Sequence, residues 1–496
     1  MTQRFLYGAS VQGIQDFSFQ TNELKDIVGA SELVEKICTD LFSRYKAHGE
    51  LVVNAAGNVK CVFSNREECE KAVKSFPKTV MEYAPGITIS QAVVKLRPDE
   101  GTFKDYVEEL ERRLRVQRSK PQRRVTLGTM AMLRSRTTGL PVVEKLISEG
   151  KDIEYLDEGT CKKRTQNKDN STFTLAKIFF GNKDLTYKSI AFNIEDLTDK
   201  NNWIAIIHVD GNGLGQVVAQ KNKNTTELKA FSDKLNEATE YAAQQAYKEI
   251  IKDTGFEPTT NVIPFRPVVL GGDDMTVICR ADLAMRFTHA YIRHFEDNTR
   301  INGDPLTACA GIAYMKSSYP FHYGYALAET LCEEAKKDAK CDDHLRDGLA
   351  PSCIMFHKIQ GSYIGAFKQI EDDELTINKD NSLKFGPYYL EPMESRWTVD
   401  DLRDAAANLN KKDDNGNSNA AKTDIRQWLT LMHEDTNKAD QKRNRVRQIS
   451  SDNIWKSFDN ATRKRKRGNM SVYPAFDILQ LLTVETQITK HKDEKH

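Results

Sequence analysis

The sequence predicts an α+β protein with two ferredoxin-like βαββαβ units followed by a C-terminal helical domain. Three observations carry this. Residues 1–118 alternate between strand-period and helix-period apolar patterns in the order βαββαβ with a trailing helix. The same order returns between 201 and 358, so one supersecondary unit occurs twice. From about Trp397 onward the pattern turns helical. The bulk properties agree with a multidomain globular chain. At 496 residues two to four domains are expected, and 39% hydrophobic with 29% charged residues suffices for packed cores.

In the first unit, FLYGASV (5–11) reads as a strand. A helix is predicted over Glu23–Tyr45, with Leu24, Ile27, Val28, Val34, Ile37 and Leu41 largely on one face. LVVNAAGNVKCVF (51–63) reads as a hairpin with a Gly-Asn turn. Helix 66–76, strand 87–96 and helix 102–117 complete the unit. Residues 119–200 break the rhythm: they begin within the basic RSKPQRR, include the polar TCKKRTQNKDNST, and read as a linker region with a helix near 141–149.

In the second unit, NWIAIIHVD (202–210) is an apolar strand. Helix 226–252 places Leu228, Phe231, Leu235, Ala238, Ala242 and Ala246 at helical spacing. Residues 264–279 read as strand, tight turn, strand. Helix 281–297, strand 306–315 and helix 322–340 follow, and SCIMFH (352–357) reads as an added edge strand. A connecting segment, 359–396, contains the strand-like LKFGPYYL (383–390). The helical domain, 397–496, is interrupted by KKDDNGNSN (411–419) and carries basic runs at 442–447 and 463–467, which read first as solvated faces of a helical bundle.

The chemistry concentrates in three carboxylates. Asp210 closes the first strand of the second unit, and Asp273 and Asp274 sit in the hairpin turn. In a βαββ layout that strand and the hairpin are sheet neighbours, so the three acids can converge. Clustered like charges cost stability unless a cation binds between them. Oxygen ligands without nearby cysteine favour Mg²⁺ or Mn²⁺ over zinc, and two such ions can activate an attacking hydroxyl and neutralise a leaving pyrophosphate. The metal set is therefore Asp210, Gly211, Asp273 and Asp274. Gly271 and Gly272 permit a tight turn and close approach of a ligand. The loop Gly211-Asn212-Gly213-Leu214-Gly215 is placed to cradle a triphosphate with its backbone N–H groups. No GK[ST] follows, which excludes a Walker A loop. Lys336 and Lys340 are candidate cations for the phosphates, whereas Lys337 reads as a surface lysine. His208 reads as a satisfied, partly buried histidine.

Other classes lack support. No apolar run reaches bilayer length, and the N-terminus lacks a signal-peptide layout. Nine dispersed cysteines read as reduced thiols in the cytoplasm. Lys+Arg of 72 against Asp+Glu of 71, net +1, points to no partner by itself.

With these residues in view, the chain resembles the large subunit of type III CRISPR effector complexes. HVDGNGLG and VVLGGDDMTVIC resemble that family's second palm domain. GASVQGIQDFSFQTNELKDIVGASELV resembles its first palm, and AAGNV stands where the first-palm hairpin belongs. RTTGLP (136–141) and AETLCEEAK (328–336) are also similar. The resemblance spans roughly residues 3–360. It implies two face-to-face palms, 1–118 non-catalytic and 201–358 catalytic, holding two nucleotides between them. The first palm, with Gly8-Ala9-Ser10 and Ala55-Ala56-Gly57, has no carboxylate triad.

The resemblance further implies ATP as substrate and 3′-hydroxyl attack on an α-phosphate to give cyclic oligoadenylates. It makes Lys336 a triphosphate contact. The implied partners are the other effector subunits, guide RNA and target RNA, with no membrane. The HD nuclease domain and the inter-palm cysteine zinc module of many relatives are not expected here. Alternatives are adenylate transfer to S-adenosylmethionine and a non-catalytic scaffold. A stand-alone diguanylate-type cyclase is disfavoured by the two fused palms and the GGDD turn without an EF continuation.

Overall fold

The computed structural model describes residues 3–485 except 46–48, 56, 98–100, 121–130, 148–152, 167–172, 183–184, 200, 222, 255–261, 302, 304, 347, 362–365 and 411–420. The polar run 411–419 and parts of the two linker runs thus lie outside the described residues.

The first unit opens with β1 (Arg4–Gln12), the short helix α1 (Ile14–Ser18) and α2 (Leu24–Lys36). A wider, π-type turn at Ile37–Leu41 ends the helix that the periodicity extends to Tyr45. The hairpin β2 (Gly49–Ala55) and β3 (Asn58–Phe63), helix α3 (Arg66–Tyr83), β4 (Thr88–Leu96) and α4 (Phe103–Arg118) follow. α4 starts where Thr102 and Asp105 form a reciprocal capping box. The antiparallel sheet runs β2-β3-β1-β4. Strand alternation divides its core: Leu6, Val62 and Val94 pack with Leu110 and Leu114 of α4, while Tyr7, Ala9 and Cys61 pack with Leu33 and Phe76 on the other face.

The region between the units is more structured than its composition suggests. β5 (Val142–Ile147) pairs with β6 (Ile153–Asp157), so a hairpin stands where the helix near 141–149 is predicted. The β-branched, six-residue VVEKLI is too short for periodicity to separate helix from strand, and cross-strand pairing decides it. α5 (Glu158–Gln166) then docks on α2. Arg164 Nε donates to Asp26 Oδ1 at 2.7 Å, and buried Lys163 donates to the Phe17 carbonyl at 2.5 Å. α6 (Thr174–Phe180) adds Phe179 and Phe180 to the main core.

The second unit comprises β7 (Trp203–Gly211), α7 (Leu214–Lys221), α8 (Thr225–Thr254), β8 (Phe265–Gly271), β9 (Asp274–Arg280), α9 (Ala284–Ile301), β10 (Ala308–Lys316), α10 (Phe321–Ala339) and β11 (Cys353–Lys358). β11 runs parallel to β10, as a crossover through α10 requires. α10 lies very close on β10: a Cβ at Gly311 would fall 1.9 Å from the Ala328 carbonyl oxygen, so only glycine fits there.

α11 (Phe367–Ile370) and the short strands β12 (Thr376–Asn378), β13 (Asn381–Ser382) and β14 (Tyr388–Tyr389) form the connection. The strand expected over 383–390 contracts to β14, which pairs with β11 and takes over the sheet edge, giving the order β14-β11-β10-β7-β9-β8. The tail contains α12 (Val399–Asn410), α13 (Ala421–Glu434), α14 (Thr436–Ile449), α15 (Asp452–Thr462), the hairpin β15 (Arg465–Arg467) and β16 (Met470–Val472), and α16 (Ala475–Glu485). The 463–467 basic run therefore lies on a strand and its approach, not on a helix. Arg465 stacks over Trp397 at 4.6 Å, and Arg467 Nη1 donates to the Gly386 carbonyl at 2.8 Å. Alternation leaves Lys464 and Lys466 exposed.

The two units face each other with exchanged contacts: α2 lies against β8, and α8 lies against β2. Ser31 of α2 donates to the Val268 carbonyl, and Phe19 stacks on Tyr325 with ring centroids 4.5 Å apart. Among the described residues no helix is long and apolar enough to cross a membrane.

Candidate active site between the palms

β7 is the middle of the second sheet, and its end fixes the site. Asp210 stands opposite Cys309 of β10, and Val209 pairs with Met275 of β9, one residue beyond Asp274. Gly271 pairs with Asp274 across the hairpin, so Gly272 and Asp273 form a two-residue turn beside the strand end. The three acids predicted from the sequence do meet. One ligand oxygen from each of Asp210, Asp273 and Asp274 lies within 4.8 Å of the others. Gly211 is required by this approach, because a Cβ there would sit 2.9 Å from the Asp273 Cβ.

Lys336 projects from α10 back to the sheet. Its ammonium donates to the Gly211 carbonyl at 2.8 Å and pairs with Asp210. Lys337, as expected, is exposed and pairs with Glu334 at 2.7 Å. Lys340 is exposed at the C-terminal end of α10. In the loop after β7, Gly213 and Gly215 are exposed, with nothing within 4 Å of a would-be Cβ, and Leu214 begins α7. Asn212 is turned the other way. Its backbone N–H donates to the Thr307 carbonyl at 2.8 Å and its amide to Thr307 Oγ1 at 3.1 Å. It anchors the loop and offers the cleft no donor.

Two residues outside the predicted set hold the acidic turn. The Gly272 N–H donates to Asn236 Oδ1 at 2.8 Å, and Thr239 Oγ1 donates to the Gly272 carbonyl at 2.6 Å. Both come from α8, three positions apart and so on one face. Polar residues at 236 and 239 beside the apolar stripe of Leu235, Ala238 and Ala242 were the available signal.

The electrostatics match a cation site. Burial and then Asp210 hold the Asp273 carboxyl above its usual range; burial, then Asp273 and Asp210, do the same for Asp274, although Asp274 still reaches solvent. Lys336 pulls both the other way. Burial opposes the Lys336 ammonium, but Asp210 outweighs it and raises its pKa. His208 is pushed down to about 4 by burial and is neutral; its Nδ1 lies 3.1 Å from Thr276 Oγ1, the satisfied histidine anticipated. The donor set of three carboxylates and a backbone carbonyl is hard oxygen throughout, and it fits Mg²⁺ or Mn²⁺. Among the described residues no other cluster of acid, thiol and imidazole groups has ligand spacing, and the first palm contributes none.

A cavity of about 160 Å³ opens beside Asp274. Gln15, Ser18, Ser31 and Glu35 of the first palm face His208, Thr276 and Tyr325 of the second across it. Gln15 bridges the palms, donating to Glu329 Oε1 at 2.9 Å and to Tyr325 Oη at 3.2 Å.

Comparison with known proteins agrees with this architecture. Residues 203–346 match the model of the family described as Cas10/Cmr2, second palm domain. No curated protein matches the chain in sequence. Among solved structures, a Csm1-Csm4 cassette in complex with cA4 superposes with a TM-score of 0.60 at 11% identity, covering 98% of this chain and 70% of that one. The cassette in complex with AMPPNP gives 0.60 at 13% identity, with coverage of 98% and 70%. Csm1 in T. onnurineus gives 0.60 at 13% identity, with coverage of 98% and 69%. At these identities the likeness is one of fold. Residues 203–346 are thus similar to the Cas10/Cmr2 second palm domain, and the whole chain shares the fold of the Csm1 structures.

Proposed function

We propose that this chain is the large subunit of a type III CRISPR effector complex and that it converts ATP into a cyclic oligoadenylate signal. The observation that carries the reading is the convergence of Asp210, Asp273 and Asp274, with Lys336 paired to Asp210 and Asp274 lining a cavity shared by two palms. The relatives solved with cA4 and with AMPPNP support it. In the proposed reaction a 3′-hydroxyl oxygen forms a bond to the α-phosphorus of ATP, the bond from that phosphorus to the bridging oxygen breaks, and pyrophosphate leaves. Two divalent ions, when bound, supply activation of the hydroxyl and charge neutralisation of the pyrophosphate. The carboxylates of Asp210, Asp273 and Asp274 and the Gly211 carbonyl would hold them. The amides of Gly213, Leu214 and Gly215, with Lys336 and Lys340, face the triphosphate. Asn236 and Thr239 fix the turn so that the acids are aligned before substrate arrives.

Incubation of the assembled complex with ATP, Mg²⁺ and target RNA tests this by product mass. Cyclic oligoadenylates are expected, and Asp273→Asn with Asp274→Asn lowers their yield by roughly a hundredfold or more. An arm with S-adenosylmethionine distinguishes transfer to that acceptor by its different mass. Activated complex that forms no ATP product, or acid variants that keep full yield, would contradict the reading.

A further inference from the structure

The Lys336 ammonium occupies a particular pair of oxygens. It donates to the Gly211 carbonyl at 2.8 Å and pairs with Asp210, two of the four groups that make up the metal set. Only 14% of its side chain is exposed, so the charge is enclosed with those acceptors and not resting on the surface. The position is built by the fold. Cys332, Ala335 and Ala339 bury the same side of α10, Gly311 lets that helix lie directly on β10, and the lysine is delivered to the end of the neighbouring strand β7. A divalent ion on Asp210 and the Gly211 carbonyl would use the same lone pairs and would sit within a few ångströms of a positive charge.

We propose that Lys336 is an exchangeable counter-cation: it competes with the divalent ion for Asp210 and the Gly211 carbonyl, and it moves to the triphosphate that accompanies the ion. This deepens the reading above and rests on it. Lysine suits the task because its ammonium is a compact point charge on a flexible four-carbon stem, whereas a guanidinium is a rigid, planar fork. The consequence is a coupling between ligands. Metal alone must evict the ammonium without compensation, while metal with nucleotide supplies the evicted charge with new oxygens, so each ligand favours the other. A positive charge faces the acids in both states, which offsets part of the repulsion within the cluster when substrate is absent.

Mn²⁺ binding to the full chain, read from the electron paramagnetic resonance signal of the free ion, tests this without turnover. In the absence of nucleotide, Lys336→Met is expected to bind Mn²⁺ roughly tenfold or more tightly than the unsubstituted protein, because a unit charge beside the ion is removed. Lys336→Arg, which keeps the charge, is expected to stay within about threefold of the unsubstituted protein. A non-hydrolysable ATP analogue should tighten Mn²⁺ binding to the unsubstituted protein more than to the Met variant. Equal Mn²⁺ affinity in the Met variant and the unsubstituted protein, with binding still abolished by Asp273→Asn, would overturn the exchange while leaving the metal site intact. Tight binding by Lys336→Arg would also overturn it. Mn²⁺ binding that is insensitive to Asp273→Asn would overturn the metal site and the exchange together.

Discussion

Burial holds the carboxyls of Asp477, Glu32 and Glu485 above their usual range. Asp477 on α16 lies under the connecting segment, where its Oδ2 accepts from Tyr388 Oη at 2.7 Å and from the Gly386 N–H at 3.2 Å. Burial pushes it up to about 7 despite those bonds, and burial also raises Glu32 and Glu485 to about 7. A raised folded pKa means that the folded state holds more protons than the unfolded chain between about pH 4 and 7. Stability from each group is then present at low pH and is lost as pH climbs through that window. Asp477→Asn cannot ionise, so the melting temperature of the variant minus that of the unsubstituted protein should rise from pH 4.5 to pH 8. A difference that stays flat or falls would show that Asp477 ionises freely in the fold.

At the scale of elements, the site depends on how tightly α10 is seated on β10. Gly311→Ala would drive a methyl into the Ala328 carbonyl, which is backbone and cannot turn aside. Overpacking of this kind costs about 1–3 kcal/mol. It should lower the melting temperature clearly and weaken the proposed ATP turnover as well, because Lys336 rides on the displaced helix. Thermal melts and turnover of the variant check this, and Gly213→Ala, at an exposed loop glycine of positive φ, is a poor control that should be avoided in favour of an exposed helical position. The elements that the sequence made legible are those with long, regular patterns, such as β7, α8 and α9. The polar α5 was not legible, because its docking on α1 and α2 draws on two charged side chains, Lys163 to Phe17 of α1 and Arg164 to Asp26 of α2, partners some 140 positions away. The basic run at 463–467 was legible as charge but not as structure. Two of its arginines turn inward onto aromatic rings and carbonyls, which only the tertiary contacts with Trp397 and Gly386 reveal.

On the scale of the whole molecule, two copies of one unit meet with reciprocal contacts, α2 on β8 and α8 on β2, yet among the described residues only the second carries acids clustered at ligand spacing. The acidic trio could be read from the sequence because its members sit at a strand end and an adjoining hairpin turn, where the βαββ connection alone makes them neighbours. Asn236 and Thr239 left only a faint signal, polar positions beside an apolar stripe, and their contact with the turn depends on the rotation of α8, as the inward turn of Asn212 depends on the 212–307 loop contact. The cleft that joins the palms draws on both of them, with Gln15 of the first reaching Glu329 of the second across more than 300 positions. The central claim is that the carboxylate cluster at this junction holds divalent ions against ATP. A crystal structure of the protein soaked with Mn²⁺ and a non-hydrolysable ATP analogue tests it directly. The account predicts anomalous peaks about 2.0–2.3 Å from oxygens of Asp210, Asp273 and Asp274, with the triphosphate beside them. Nucleotide bound in the cleft with no peak at those three acids, or peaks at other residues only, would contradict it.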